Sequence, residues 1–547
     1  MARHSTVKKT GLNTPDIEWR VDPDKCNGCG DCAAICPVLV FGLTPPPCQD
    51  ACPINTDVLT YISLICQERF TEALDSISEL HPFAGTLGRV CTRPCEKECT
   101  RRDIDEPIAI RALKRFAADF NQDYRKPPPK PLELRDEKVA IGGSGPAGLM
   151  AAYDLAIMGY QVTILEALPV AGGMLSLGIP EYRLPRAIIR EEIGQIESLG
   201  VEIRLNTKIG KDITLDTLFR DGYKAILLAT GAHRSLRLPI DGADLEGIVD
   251  GISFLKSINL GNKVKPGNRV VVLGGGNVAF DCARTALRLG AEEVRIACLE
   301  NKDEMLAGIE EIRQGEDEGI IIHNSCTPVK ITGDNGHISG GEFIKVQSFT
   351  FDKQGEVTFD PVSSSEFFIR ADVVISAIGQ KPDLTFLPEN GRPGVSKNGL
   401  ILADADTLAT DRDGIFAAGD NITGPGSVVD ALADGKRAAV SIDRYLRGLD
   451  LKPEAAGKPV TATKSEKRIW WQETAEEPQQ KPPELSPEER SHNFNEAELG
   501  LTRPAAVAEA RRCLKCAIFS NMDLESCCRE TCRICEYNCP RDAIRAH

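Results

Sequence analysis

No stretch of this chain approaches 18 consecutive apolar residues, so the sequence offers no membrane-spanning helix. It begins MARHSTVKKTGLNTPDIEWRVD, without an apolar h-region behind a charged n-region; no secretory leader is expected, and the expected location is cytoplasmic. Its seven histidines show no metal-ligand spacing, and no Ser–His–Asp set or paired acid–base constellation stands out, so no catalytic residue is assigned. There is no repeat period. Basic charge is not in excess: 65 Lys and Arg stand against 80 Asp and Glu, a net charge of −15, which argues against nucleic acid as the main partner. What is there is a globular composition, 42% apolar and 27% charged over 547 residues, enough for roughly three or four domains at about 150 residues each.

Cysteine is scarce in the middle of the chain and abundant at its ends. Residues 100 to 512 hold only Cys282, Cys298 and Cys326, whereas ten of the 20 cysteines fall in residues 1–99 and seven in residues 513–547. Disulfide staples belong to short secreted chains, so this distribution points to metal or iron–sulfur ligation. Cys26-x2-Cys29-x2-Cys32-x3-Cys36-Pro37 has bacterial ferredoxin spacing, in which the fourth Cys ligates the other of two clusters. A second half is therefore required, and the candidate is Cys528-x3-Cys532-x2-Cys535-x3-Cys539-Pro540, with one extra residue in its first gap. We expect one ferredoxin-like module from the two termini, of one chain or of neighbouring subunits. Cys26, Cys29, Cys32 and Cys539 would hold one cluster, and Cys528, Cys532, Cys535 and Cys36 the other. Zinc stays open for any single C-x-x-C pair. Cys66, Cys282, Cys298 and Cys326 stand singly in helical or strand patterns and read as buried packing residues, while Cys527 is ambiguous beside Cys528.

Proline and charge divide the rest. Pro45, Pro46 and Pro47 close the first segment, and KPPPKPLEL (126–134) ends a Cys-rich helical region. From Lys138 to about Leu449, β-branched runs end in glycine-rich turns and lead into amphipathic stretches: KVAIGGSG, QVTILEA, KAILLATGA, RVVVLGGGN, VRIACLE and ADVVISAIG. This alternation is an α/β signature with parallel sheets. NKDEMLAGIEEIRQGEDEG reads as a solvated helix. Residues 451–490, rich in Pro, Glu and Lys, read as an extended connector anchored by Trp470 and Trp471 that returns the last cysteines to the body.

Two turns carry dinucleotide chemistry. Gly143-Ser144-Gly145-Pro146-Ala147-Gly148 comes after the strand KVAI and opens a helix. Gly143 permits the turn, Gly145 lets backbone approach a pyrophosphate at the helix N-terminus, and Gly148 allows close helix–strand packing. The second strand ends at Glu166, where a carboxylate can accept from ribose hydroxyls. The second unit, RVVVLGGGNVAFDCARTALRLG, places Gly274, Gly275 and Gly276 in the same turn, ahead of Asn277 and Asp281, with Glu300 at the next strand end. A carboxylate there accepts from a free 2′-OH and repels a 2′-phosphate, so Glu300 favours NAD(H) over NADPH. Lys302, two residues on, would blunt that preference.

One unit inserted into another resembles the two-dinucleotide flavoprotein reductases. The resemblance extends to DGIFAAGDNITGPGSVVDALADGKRAA, to ATG at Ala229–Gly231 and to ADVVISAIGQKPD. It implies FAD in the outer unit and a nicotinamide in the inserted one, with Asp420 on the flavin ribityl chain and the helix opening near Val428 facing the flavin ring. Gly173, Met174, Thr230, Gly231, Gly379 and Gly419 fall in matching cofactor-binding motifs. AGGMLSLGIPEYRLPRAIIREEI, and the stretch from PCQDACPIN to PIAIRALKRFAAD, are similar to the glutamate synthase small-subunit family. That group includes the N-terminal half of dihydropyrimidine dehydrogenase and the large subunit of bifurcating NADH-dependent ferredoxin:NADP oxidoreductases. It implies two [4Fe–4S] clusters in the helical domain, one on Cys48 and Cys99 and the other on Cys52, Cys91 and Cys95. Two departures stand out. The C-x-x-C that should precede Cys48 is replaced by FGLTPPP, while RCLKC near the other end offers Cys513 and Cys516 to complete that site. Lys114 aligns with the non-Cys ligand of the other cluster, and cannot ligate iron while charged.

The expected architecture is α/β: two nested Rossmann-like dinucleotide-binding domains, preceded by a helical iron–sulfur domain and flanked by ferredoxin-like terminal segments. The segments are 1–46 (ferredoxin-like), 47–125 (helical iron–sulfur), 136–250 and 376–450 (FAD-binding), 251–375 (NAD(H)-binding), 451–504 (linker) and 505–547 (C-terminal iron–sulfur). The resemblance implies an electron-transfer subunit running between NADH, FAD, three to four [4Fe–4S] clusters and a partner, either other subunits of a hetero-oligomeric oxidoreductase or a ferredoxin. Glu304 and Met305 would lie near the nicotinamide. A flavin-bifurcating subunit, a stand-alone NAD(P)H:ferredoxin reductase and a non-catalytic redox scaffold are the alternatives. Deleting residues 505–547 should lower bound iron by at least one whole cluster; unchanged iron would refute the terminal module.

Overall fold

The computed structural model describes residues 19–21, 45–120, 127–129, 131, 133–351, 357–388, 392–452, 475–514, 516 and 544–546. The cysteines from Cys26 to Cys36 and from Cys527 to Cys539, with Trp470 and Trp471, lie outside the described residues. The chain groups into two compact units: Met1–Lys126 with Pro453–Pro483 and Gly500–His547, and Pro127–Lys452 with Glu484–Leu499. Among the described residues no helix is long and apolar enough to cross a membrane.

The first unit is helical. Helices α1 (Val58–Cys66), α2 (Phe70–Ser78), α3 (Ala84–Val90) and α4 (Ile110–Phe120) surround a core of Tyr61, Ile65, Leu74, Ile77, Leu113 and Phe116. Asp57 opens α1 by accepting from the Thr60 N–H at 3.0 Å. Phe70 meets Phe116 edge to face, centroids 5.1 Å apart. The C-terminal helix Arg503–Arg511 joins this core through Leu501, Ala506, Val507 and Ala510. Its buried Glu509 accepts from the N–H groups of Ala109 and Gln480, both at 2.8 Å, and from Arg512 at 2.7 Å. Arg512 in turn donates to Asp105 and to the Glu106 carbonyl. Charges shielded from water hold only with such partners, so the helix can seat in one register. The terminal strands Trp19–Val21 and Ile544–Ala546 pair antiparallel, Trp19 opposite Ala546 and Val21 opposite Ile544.

The second unit holds two parallel sheets. Strands β1 (Lys138–Gly142), β2 (Gln161–Leu165), β3 (Glu202–Arg204) and β4 (Tyr223–Leu228) form the first, with α5 (Pro146–Ile157) crossing from β1 to β2. The chain then builds a second sheet from β5 (Ile248–Asp250), β6 (Arg269–Leu273), β7 (Glu293–Ala297), β8 (Ile321–His323) and β9 (Val373–Ser376), in the order β8-β7-β6-β9-β5. Helices α6 (Gly251–Asn259), α7 (Asn277–Arg288) and α8 (Ile309–Asp317) belong to this insertion. It returns with β10 (Ile415–Ala417), which pairs parallel with β4, and with α9 (Val428–Leu446). The core strands are buried along nearly their whole length, as expected of sheets covered on both faces. The nested α/β architecture read from the alternating pattern is thus present.

The charge-rich stretch is not a solvated helix. In α8 and just beyond it, Ile312, Gln314 and Glu318 are buried, and Glu318 bonds Arg284 and Arg288 of α7 at 2.7 and 2.8 Å. Arg490, from residues 484–499, adds a third guanidinium at 3.0 Å. These pairings come from remote segments, which is why the local pattern read as a wet face. Replacing Arg490 with Met removes one cation from a carboxylate with no exposure and should cost roughly 3 kcal/mol, whereas Arg313→Met, on a half-exposed pair with Glu484, should cost under about 1 kcal/mol. Urea unfolding of the two variants checks the ranking.

Candidate functional site

The first glycine turn opens a cavity of about 310 Å³. Gly143 (φ +106°) makes a turn no L-residue adopts easily. A Cβ on Gly148 would stand 2.0 Å from the Gly143 carbonyl, so only glycine lets α5 lie this close. Gly145 differs: a Cβ there would meet nothing within 4 Å and would project into open space at the α5 N-terminus. That is where an anionic pyrophosphate fits. Pro146 and Ala147 begin the helix and line the same cavity.

Glu166 stands opposite the turn, its carboxylate accepting from Ser144 at 3.0 Å (N–H) and 2.6 Å (Oγ), and from the Leu168 N–H at 2.9 Å. Three of about four lone-pair sites are used, which fixes the group and leaves it room for one hydroxyl. Gly173, Met174, Thr230, Gly231, Gly419, Asp420 and Val428 complete the wall. Asp420 accepts from the Gly426 N–H at 3.2 Å, and burial pushes its pKa up to about 6. Gly379 is outside the wall, its carbonyl bonded to the Leu236 N–H at 3.0 Å. Sequence reasoning missed His233, Lys256 and Asp383, which also face the cavity. His233 follows Gly231 by two residues and Asp383 ends ADVVISAIGQKPD, so both lie beside motifs already singled out, whereas Lys256 sits in α6 with no local signal. Burial lowers the pKa of His233.

In the inserted unit Gly274, Gly275 and Gly276 turn between β6 and α7, and a Cβ on Gly276 would again meet nothing within 4 Å. A Cβ on Gly275 would stand 2.7 Å from Glu300 Oε2, which places that carboxylate directly against the turn. Lys302 bonds Glu316 at 2.8 Å. Asn277 accepts from the Gly308 N–H at 2.9 Å, tying the 301–308 loop to the turn, and Met305 packs against the second sheet's core. Glu304 bonds Asn301. Asp281, read with the nucleotide-binding residues, instead has its carboxylate on Arg183 at 2.7 and 2.9 Å.

The described ligand candidates of the first unit fall into two groups. Cys48, Cys99, Cys513 and Cys516 line one small cavity. Burial pushes the Cys48 thiol up, and the neighbouring Cys513, Cys99 and Cys516 add to the rise. Cys52, Cys91 and Cys95 form the other group: burial raises Cys91 and Cys95, each also feels Cys52, and the buried Lys114 opposes both rises. Soft thiolate donors suit iron–sulfur clusters. The second group offers three thiols and an ammonium, which supplies countercharge and no lone pair. Among the described residues, no three His, Cys, Asp or Glu are arranged to hold a single metal ion.

Residues 137–435 match the family described as pyridine nucleotide-disulphide oxidoreductase. Residues 43–126 match dihydropyrimidine dehydrogenase domain II, 4Fe-4S cluster, and residues 20–41 a 4Fe-4S binding domain. The chain is 43% identical over 507 residues to the NADP(+)-dependent formate dehydrogenase subunit beta of Moorella thermoacetica, covering 86% of this chain and 70% of that one. It is 38% identical over 506 residues to the NADPH-Fe(3+) oxidoreductase subunit beta of Geobacter sulfurreducens, covering 86% and 75%. To the glutamate synthase [NADPH] small chain of Escherichia coli it is 30% identical over 446 residues, covering 78% and 91%.

The two glycines of the first turn should separate binding from folding. Gly145→Ala should keep the stability of the flavin-free protein and lower bound flavin at least about tenfold, by filling the space in front of the helix. Gly148→Ala should cost roughly 1–3 kcal/mol of stability whether or not flavin is present. Flavin absorbance and thermal melting of each variant read the two effects.

Proposed function

The chain belongs to the pyridine nucleotide-disulphide oxidoreductase family, and we propose that it is the NAD(P)H-linked subunit of an oxidoreductase complex, exchanging electrons with a partner subunit or a ferredoxin. It is an FAD-dependent oxidoreductase of the flavin/iron–sulfur type. Bound flavin supplies the exchange between the two-electron chemistry of nicotinamide and the one-electron chemistry of iron–sulfur clusters. The residues then have positional work. Gly145 and Gly276 leave room for pyrophosphates at the α5 and α7 N-termini, Glu166 and Glu300 would accept from ribose hydroxyls, Asp420 would hold the ribityl chain, and the α9 N-terminus near Val428 would contribute to the flavin site. Cys48, Cys52, Cys91, Cys95, Cys99, Cys513 and Cys516 supply thiolates to the clusters of the helical unit. No side chain is required to make or break a covalent bond to substrate, in keeping with chemistry carried by cofactors.

The observation that carries this reading is the meeting, in one chain, of two glycine turns with open helix N-termini and two groups of buried or half-buried thiols. Subunit status is supported by the relatives named as beta subunits. A reducing cytoplasm is the proposed location, in keeping with the lack of any disulfide among the described cysteines.

On the nicotinamide the two lines of support differ. The names of the relatives carry NADP or NADPH. Here Glu300 lies against the turn and Lys302 is engaged by Glu316, an arrangement that favours NADH by repelling a 2′-phosphate. Anaerobic titration of the purified chain, with iron, sulfide and flavin counted on the same sample, tests both the function and this choice. NADH should bleach the flavin at lower concentration than NADPH, and Glu300→Ser should shift the ratio toward NADPH by about tenfold, near 1.4 kcal/mol. Preferential bleaching by NADPH would overturn the role of Glu300, and no bleaching by either would leave a redox scaffold.

A further inference from the structure

Four cysteines far apart in sequence surround one small cavity. Cys48 lies in the short helix Pro47–Asp50, Cys99 just after Pro94–Lys97, and Cys513 and Cys516 just past the C-terminal helix. The match to an iron–sulfur domain ends at residue 126 and takes in only the first two. Two thiols alone cannot hold a cluster whose four irons each need a ligand. The C-terminal helix delivers the missing pair.

Packing and hydrogen bonds seat that helix. Leu501, Ala506, Val507 and Ala510 bury the helix in the core of α1 to α4. Glu509 and Arg512 lock its position through Ala109, Gln480 and Asp105. The pair Cys513 and Cys516 is therefore set beside Cys48 and Cys99 by the fold. Polar groups also reach these sulfurs: Thr100 Oγ1 stands 2.7 Å from Cys516 Sγ, and the N–H groups of Arg101 and Ile108 donate to Cys99.

We propose that Cys48, Cys99, Cys513 and Cys516 together ligate one [4Fe–4S] cluster, so that the helix Arg503–Arg511 is an integral part of the iron–sulfur domain it packs into. The proposal rests on the iron–sulfur part of the function above. A lone zinc ion would draw four sulfurs to about 2.3 Å from one centre, and no three Cys, His, Asp or Glu among the described residues converge so closely. An iron–sulfur cube takes one thiolate at each of its four irons and sets them wider apart.

The test uses the full chain, purified anaerobically. Cys513→Ser/Cys516→Ser should lose about four irons and four sulfides per chain, while Cys66→Ser, at a packing cysteine, should lose none. Unchanged iron, or zinc in place of iron, overturns the proposal. Because two substitutions could unseat the helix, the unaltered protein supplies a second measurement, thiol alkylation read by mass spectrometry before and after iron chelation. Cys48, Cys99, Cys513 and Cys516 should be protected together and become labelled together, while half-buried Cys66 labels equally in both states. Labelling of Cys513 and Cys516 while iron is bound and Cys48 and Cys99 stay protected overturns the proposal. Absence of bleaching in the unaltered chain would count against the redox function alone, since the iron count and the labelling pattern do not depend on it.

Discussion

Glu318 has no contact with water, and a carboxylate in that position needs cations. Arg284 and Arg288 reach it from one helix and Arg490 from a segment some 170 residues further along the chain. Around this centre Arg183 spans Asp281 and Glu311, while Tyr182 lies under Arg288 at 3.9 Å. The loop at 182–183 belongs to the outer nucleotide unit, α7 and α8 to the inserted one, and Arg490 to the return of the chain. Arg490 and α7 are thereby bound to one buried charge, and the 182–183 loop joins the same network through Asp281, Glu311 and Arg288. Buried ion networks add less stability than their number suggests, but they tolerate only one arrangement.

The two glycine turns are the same solution used twice, but the acidic residue beyond each is held differently. In the outer unit a carboxylate is fixed by three donors and faces a cavity with cations from Lys208 and Lys256. In the inserted unit the carboxylate lies against the backbone of the turn itself, and the loop after it is tied down through Asn277.

Much of this was legible because close approach of backbone to backbone admits only glycine. Gly143 and Gly148 announce a turn in which an added Cβ would meet a carbonyl at 2.0 Å, and the strand–turn–helix pattern around them carries the parallel sheets. The pairing of charges was not legible. Read locally, Glu311 and Glu318 belong to a solvated face, and Asp281 to a nucleotide site; their partners Arg183, Arg284 and Arg490 come from places that no periodicity connects. Lys256 escaped for the same reason, since a cavity wall gathers single residues from separate elements, while His233 and Asp383 lie beside the ATG and QKPD motifs and face the same cavity. The displaced C-x-x-C of Cys513 and Cys516 was visible only as a departure, a gap near Cys48 and a surplus at the other end.

Cys99 leaves the ribosome 414 residues ahead of Cys513. At about 5–20 residues per second this is roughly 20 to 80 s, during which Cys48 and Cys99 stand without the pair that the C-terminal helix brings. The apolar stripe of Ala506, Val507 and Ala510 is missing from the helical core for the same interval. The four-thiol cavity thus cannot close until Cys516 has been made: a chain that stops before it has both nucleotide units and half of this site.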